Sequence, residues 1–400
     1  MLPELVTTWP GLPEPHEGSC PAEEALTLLA RGTDRSTAVR LADFALDADA
    51  CLAHARCLWR AVTVLLCAGE LVSADARLRR LEGTCDGRAA ELVAVLRAQH
   101  ARLVGDLAGA RKALAPLASA EASPFARRLA VPFLAEALVA AGEVADAEAV
   151  LAGDDSDRAP AARFTRPLLL AARGAVHLEA GRPREALEDF LACLRFPAAE
   201  LSAHFAVMHC RGLAALAARA GGRAERAVDL AAREQEAALA WGSPAYVGWA
   251  LYVRAIAGGP DGATGLLVDA IDLLEVAQAR VVLAAAAHEL GRRLARAGDV
   301  TAARRELERA GRWAGQIGHG RLAAKVQAAS QDVAHVVPRS SLTTQEAKIA
   351  ELARAGYSNK QIAEKLYLTV RTIEFHLSNV YRKLRISSRR ELMDGTSRSQ

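Results

Sequence analysis

Near the C-terminus, the stretch VRTIEFHLSNVYRKL, Val370 to Leu384, sorts its side chains into two kinds. Val370, Ile373, Leu377, Val380 and Leu384 recur at intervals of 3, 4, 3 and 4, so a helix would carry them on one face. The other face then shows Arg371, Glu374, Phe375, Ser378 and Arg382, flanked by His376, Asn379 and Lys383. An exposed helix bearing hydrogen-bonding groups and positive charge, held by a second helix across a three-residue turn, is what a DNA major groove admits. The charge distribution agrees. From Arg339 to Gln400 there are 12 Lys and Arg against 6 Asp and Glu, a net +6; the whole chain carries +3, so the preceding 338 residues sum to −3. A basic module on a near-neutral body suggests a nucleic-acid or anionic partner for the tail.

The elements that would position this face are punctuated densely. Thr343 with Glu346, Ser358 with Gln361 and Ser388 with Glu391 each have capping-box spacing, Thr369 can cap the helix between the last two, and Gly356 stops the first. Four short helices are expected, over Thr344 to Ala355, Asn359 to Leu366, Val370 to Leu384 and Arg389 to Met393. Ile349, Leu352, Ile362 and Leu366 supply the other side of their small core.

Leu342 to Leu392 resembles the LuxR-type helix-turn-helix, the output domain of a large family of bacterial transcription regulators. The matching elements are Leu342 and Thr343 with Glu346, the Gly356 to Lys360 turn, Ile362 and Ala363, Leu366, Thr369, Arg371 to Glu374, His376 and Leu377, and the Lys383-Leu384 and Ser388-Arg389 end. It departs at Phe375, where the family more often has Thr or a small aliphatic residue, and at Arg385, where Gly is common. The resemblance implies that Glu374, Phe375 and Ser378 face base edges. It also implies that Lys360, Thr369, Arg371, Thr372, Asn379, Arg382 and Lys383 meet phosphates, which fix register without reading sequence. The last helix, with Arg389, Arg390, Leu392 and Met393, resembles the family's dimerisation helix, so that a homodimer would read an inverted repeat in double-stranded DNA.

Upstream, an apolar helical stretch, a Gly, four residues and a small residue recur at Gly69/Ala74, Gly105/Ala110, Gly142/Ala147, Gly181/Ala186, Gly222/Ala227, Gly258/Ala263 and Gly298/Ala303. Successive glycines are 36, 37, 39, 41, 36 and 40 residues apart, with Gly32/Thr37 as a degenerate earlier copy. Each Gly can end a helix in the left-handed conformation and let the next helix fold back. In RPREALEDFLACL, Pro183 suits a first helical turn, and Ala186, Leu187, Phe190, Leu191 and Leu194 follow at helical spacing. One hairpin cannot bury its apolar face alone, so neighbours stack into a solenoid with a concave surface. Period and spacing resemble the tetratricopeptide repeat in loose form, without most of its aromatic and proline positions.

The expected fold is therefore all-α: a tetratricopeptide-like α-solenoid followed by a four-helix LuxR-type helix-turn-helix domain. Its divisions are a poorly ordered, proline-rich lead-in at 1–22, repeats at 23–335, a linker at 336–341, the DNA-binding domain at 342–394 and a tail at 395–400. The order resembles the C-terminal part of large ATP-binding LuxR regulators, without their ATPase.

Composition and motifs exclude several chemistries. The 400 residues are 52% hydrophobic and only 4% aromatic, with 89 alanines, so the core must be built from small side chains. Arginine outnumbers lysine 44 to 6, a skew expected of GC-rich coding. There is no GxxxxGK[ST], and the only lysine before residue 325 is Lys112. His288-Glu289 has no second His at 292, Asp154, Asp155, Ser156 and Asp157 lack calcium-loop spacing, and a receiver domain would need alternating strands and helices. His204 and His209 read as core or inter-helix residues, and Trp59, Trp241, Trp249 and Trp313 as core. The seven cysteines show no CxxC or Cys/His zinc spacing and suit a reducing cytoplasm. The start lacks a secretory signal and no run reaches the length of a membrane span. No enzyme, metal site or cofactor is expected. The expectation is a cytoplasmic transcriptional regulator, with no membrane partner, that binds DNA through the third helix of its last domain and responds to an effector or protein at the repeats. The alternative is a helical-repeat interaction scaffold with a C-terminal docking module.

Overall fold

The recurring glycines act as helix stops. Gly32, Gly69, Gly105, Gly142, Gly181, Gly222 and Gly298 all take φ between 65° and 86°, the left-handed region where a Cβ is penalised. Gly258 differs, being extended at φ −72° and ψ 177°.

The structure, a computed structural model, describes residues 20–153, 162–196, 209–259, 263–335, 342, 344–366, 368–384, 386 and 388–393. The lead-in up to residue 19, the acidic loop at 154–157, His204, the linker at 336–341, Thr343, Arg385 and the tail at 395–400 lie outside these. Among the described residues there are twenty-two helices and no strand. They are α1 Pro21–Arg31, α2 Arg35–Asp47, α3 Asp49–Leu52, α4 Ala55–Ala68, α5 Leu71–Glu82, α6 Gly87–Leu103, α7 Leu107–Ala118 and α8 Pro124–Ala141. Next come α9 Val144–Ala152, α10 Ala162–Glu179, α11 Pro183–Cys193, α12 Cys210–Ala220, α13 Ala224–Trp241, α14 Pro244–Ala257 and α15 Ala263–Val276. The chain continues with α16 Arg280–Arg296, α17 Val300–Gln316, α18 Gly320–His335, α19 Thr344–Arg354, α20 Asn359–Leu366, α21 Val370–Leu384 and α22 Arg389–Met393. Pro21, which sequence alone places in the lead-in, opens α1. Two compact units result, one of Met1–Leu290 with Leu307–Gln327 and one of Gly291–Glu306 with Ala328–Gln400.

In the first unit, consecutive helices pair as antiparallel hairpins, and the first helix of one hairpin stacks on the first helix of the next: α4 on α6, α6 on α8, α8 on α10, α12 on α14. This is the tetratricopeptide-like α-solenoid. Pro183 opens α11, whose Ala186, Leu187 and Phe190 are buried while Leu191, and Leu194 just past its end, are half-buried. Small residues matter because the helices approach closely. A Cβ added at Gly174 would lie 2.7 Å from the Phe190 ring, and one at Gly248 would lie 2.8 Å from Leu274.

Arginine has a structural use beyond codon bias. Arg35 pairs with Glu70 at 3.3 Å and Arg111 with Glu143 at 2.5 Å, while Arg77 meets Asp47, Arg182 meets Glu148 and Arg309 meets Glu275, each pair about one repeat apart in sequence. Such partly exposed pairs are worth about 0–1 kcal/mol each, so they align neighbouring hairpins more than they stabilise them.

The array also returns on itself. Trp241 donates its Nε1–H to the Cys67 carbonyl at 3.1 Å, and Arg321 donates to the Glu179 carbonyl at 2.8 Å. A Cβ at Gly105 would meet Ile317 at 2.9 Å, and one at Gly142 would meet His319 at 2.8 Å. Late hairpins thus cover the turns of early ones, and α4 is buried on every side from Arg56 to Ala68. Trp59, Trp241 and Trp249 are core residues as expected, Trp313 is half-buried, and His209 packs edge-on between Tyr246 and Trp249. No helix among the described residues is long and apolar enough to cross a membrane.

One buried charge makes stability depend on pH. Glu234 in α13 accepts from the Trp249 indole N–H at 3.0 Å with the Arg211 guanidinium 3.8 Å away, and burial pushes its carboxyl from near 4.5 up to about 7. Because the folded pKa is raised, the stabilisation is complete below the ordinary carboxylate range and is lost as pH rises through about 7. Glu234→Gln should therefore raise Tm relative to the parent more at pH 8 than at pH 5, by up to about 3 kcal/mol of stability difference. Thermal melts at the two pH values check this, and an equal Tm difference at both would contradict it.

Candidate nucleic-acid interface

In the second unit, local hydrogen bonds set the helix starts. Ser358 and Gln361 form a reciprocal box: the Ser358 N–H donates to Gln361 Oε1 at 2.9 Å, and the Gln361 N–H to Ser358 Oγ at 3.3 Å. Thr369 Oγ1 accepts from the Thr372 N–H at 3.2 Å, and Ser388 Oγ accepts from the Glu391 N–H at 3.3 Å. The fourth expected cap, Thr343, lies outside the described residues, although its partner Glu346 is buried. The helices α20, α21 and α22 have the expected bounds, and α19 ends one residue early at Arg354.

Packing then decides what α21 shows. Ile373, Leu377 and Val380 are buried with Ile349, Ala350, Ala353, Ile362, Ala363 and Leu392, while Leu352, Leu366 and Leu384 are half-buried against them. Val370, expected in this stripe, is 40% exposed and lies outside the buried cluster, at the first position of α21.

On the outer face Arg371, Glu374, Phe375 and Ser378 are exposed, with Thr372, His376 and Asn379 half-buried at its margins. Phe375 is 66% exposed and meets the His376 ring edge-on at 5.8 Å. The Ser378 hydroxyl donates to the Glu374 carbonyl at 2.9 Å, which leaves its lone pairs free to accept. Lys360 is exposed in the first turn of α20, and Thr369 is exposed immediately before α21. Arg382 and Lys383 belong to α21, but their side chains lie outside the described ones.

The last helix is divided. Arg390 and Met393 are exposed, whereas Leu392 is buried in the unit's own core. Arg389, which the resemblance assigns to dimerisation, is half-buried and spans the unit: it donates to Asn359 Oδ1 at 2.8 Å and to the Tyr357 carbonyl. Arg354 donates to the Leu392 carbonyl at 3.3 Å, and the Lys365 ammonium sits 4.7 Å from the Tyr357 ring centre. Sequence reasoning missed this clamp on the turn before α20. Its only sequence signal was an arginine following a capping serine, which does not say what the guanidinium reaches.

Compared with known proteins, residues 340–395 match the family described as bacterial regulatory proteins, luxR family. A putative HTH-type transcriptional regulator of Mycobacterium bovis is 43% identical over 58 residues, 14% of this chain and 7% of that protein. The oxygen regulatory protein NreC of Staphylococcus aureus is 39% identical over 70 residues, 17% of this chain and 32% of that one. The chain thus matches a small part of the length of these curated relatives. Among solved structures, a Rap protein complexed with competence and sporulation factor aligns over 78% of this chain and 96% of its own, at 14% identity and a TM-score of 0.41. The apo form of RapI aligns over 91% and 97%, at 12% identity and a TM-score of 0.34.

The clamp has a measurable consequence. Arg389→Ala should lose charge-assisted hydrogen bonds worth about 1.5–3 kcal/mol and raise amide exchange across Tyr357 to Lys360. Hydrogen exchange of the full chain reads this, and unchanged exchange in that turn would contradict it.

Proposed function

We propose that this chain, which carries a LuxR-type helix-turn-helix domain at residues 340–395, is a transcriptional regulator that lays α21 in the major groove of double-stranded DNA. The observation that carries the reading is the two-sidedness of α21: Ile373, Leu377 and Val380 are buried, while Arg371, Glu374, Phe375 and Ser378 stand in solvent. A large aromatic ring held 66% exposed on a helix face suits contact with a thymine methyl. Glu374 accepts from a cytosine N4 amine. Ser378, its proton already given to the Glu374 carbonyl, accepts from an adenine or cytosine amine.

Around these base-facing residues, Lys360, Thr369, Arg371, Thr372, Asn379, Arg382 and Lys383 contact phosphates. The N-terminus of α21 adds the positive end of its helix dipole to the Thr369 side. A homodimer forms through the exposed members of α22, Arg390 and Met393, with Arg389 and Leu392 holding that helix in place. In this division of labour residues 23–335 receive an effector or protein, 336–341 connect, and 342–394 bind DNA.

A mobility-shift series with the full-length chain tests this. Lys360→Ala should weaken binding nearly equally across sequences and lower the salt slope by about one unit. Glu374→Ala and Ser378→Ala should instead change preference among sites, by about 1–3 kcal/mol at the base read. Binding unaffected by all three substitutions would exclude α21 as the reading element.

A further inference from the structure

Three cysteines scattered along the sequence converge in the first hairpins. Cys20 immediately precedes α1, Cys51 lies in the short helix α3 and Cys57 in the first turn of α4. Their sulfurs all lie within 4.8 Å of one another, with Cys20 and Cys57 Sγ 3.4 Å apart. None of the three is in a disulfide, and they are exposed by only 4%, 3% and 3%. Cys20 occupies the N-cap of α1, beside the positive end of the helix dipole, and Arg60, itself buried beside Glu23 at 3.1 Å, is close enough to act electrostatically on Cys57. Among the described residues this is the one group of three or more ligand atoms so placed. The other close pair, Cys193 and Cys210 at 3.6 Å, has two sulfurs only.

We propose that Cys20, Cys51 and Cys57 form a three-thiolate site for one soft, thiophilic metal ion, with Cu(I) as its representative. Thiolate ligands select soft ions, and a trigonal set of metal–sulfur bonds of about 2.3 Å requires sulfurs about 4 Å apart. That separation falls between the shortest contact of 3.4 Å and the 4.8 Å limit of the cluster, so binding needs only side-chain adjustment. On binding, each sulfur exchanges its proton for a bond to the metal and the three protons leave to solvent; no electron is transferred. The N-terminal end of α1 and Arg60 offset the negative charge that three thiolates and one monovalent cation leave buried. The ion would join the residue before α1 to α3 and α4, and so would stabilise the folded chain by linkage.

The reduced full-length chain, titrated anaerobically with Cu(I) against a chromogenic Cu(I) chelator, should take up one ion per chain. Cys20→Ser, Cys51→Ser and Cys57→Ser should each weaken uptake at least as much as loss of an outer-shell partner does elsewhere, about a hundredfold. Cys85→Ser, at a half-buried thiol outside the cluster, should leave it unchanged. A serine in this core can unfold the first hairpins, so X-ray absorption of the unsubstituted Cu(I) form gives an independent reading: three sulfur neighbours at about 2.3 Å. Uptake that never saturates at one ion, that Cys85→Ser abolishes, or that shows fewer than three sulfurs overturns the proposal. So does a Cys20–Cys57 disulfide that forms in place of the metal complex.

Discussion

A helix can bury one side only if something lies beneath it, and in α21 that something is six buried apolar residues of the three neighbouring helices. Ile373, Leu377 and Val380 are held by Ile349 and Ala353 of α19, Ile362 and Ala363 of α20, and Leu392 of α22. With 3.6 residues per turn, burying that stripe leaves Arg371, Glu374, Phe375 and Ser378 no direction but outward. The proposed reading face is therefore a by-product of packing. Each nearby polar contact serves the same end: the Ser358–Gln361 box starts α20, Thr369 starts α21, and Arg389 fastens the turn before α20 to α22.

The repeat unit obeys a related constraint on a larger scale. A hairpin of two short helices exposes too much apolar surface to stand alone, so its stability depends on the neighbour on either side. Left-handed glycines reverse the chain, glycines inside helices let Phe190 and Leu274 approach the opposing backbone, and arginine pairs align one hairpin with the next. The consequence is an interior made of alanine and leucine with few aromatic rings, in which a buried Glu234 or a trio of thiols is a conspicuous exception. A close-packed interior has little volume to give, so polar groups inside it are held tightly by whatever they meet, as the Trp249 indole holds Glu234.

Most of the helix-turn-helix could be read from its residues because its signals are local. Capping boxes span four residues and the apolar stripe of α21 spans fifteen, so helix bounds and exposure follow from spacing with no knowledge of the rest of the chain. The exceptions fall where a residue depends on distant partners. Val370 has the right period but falls outside the buried cluster, and Arg389 looks like a surface charge until Tyr357 and Asn359 are placed beside it. In the repeats, the glycine at 258 kept the spacing and lost the conformation, because spacing records where a turn occurs and not which φ it uses.

By itself, the order of amino acids determined that this chain is helical, that it repeats every 36 to 41 residues, and that its last module sets an apolar stripe against a polar one. These are properties of periodicity, capping and glycine, all of which act within a few residues. Only the tertiary structure decided that Trp241 reaches Cys67 across 174 residues, that α4 is enclosed on all sides, and that Cys20, Cys51 and Cys57 meet. The reason is physical: small angular offsets between successive hairpins accumulate along the array, so where a late repeat lands on an early one depends on the summed packing of everything between.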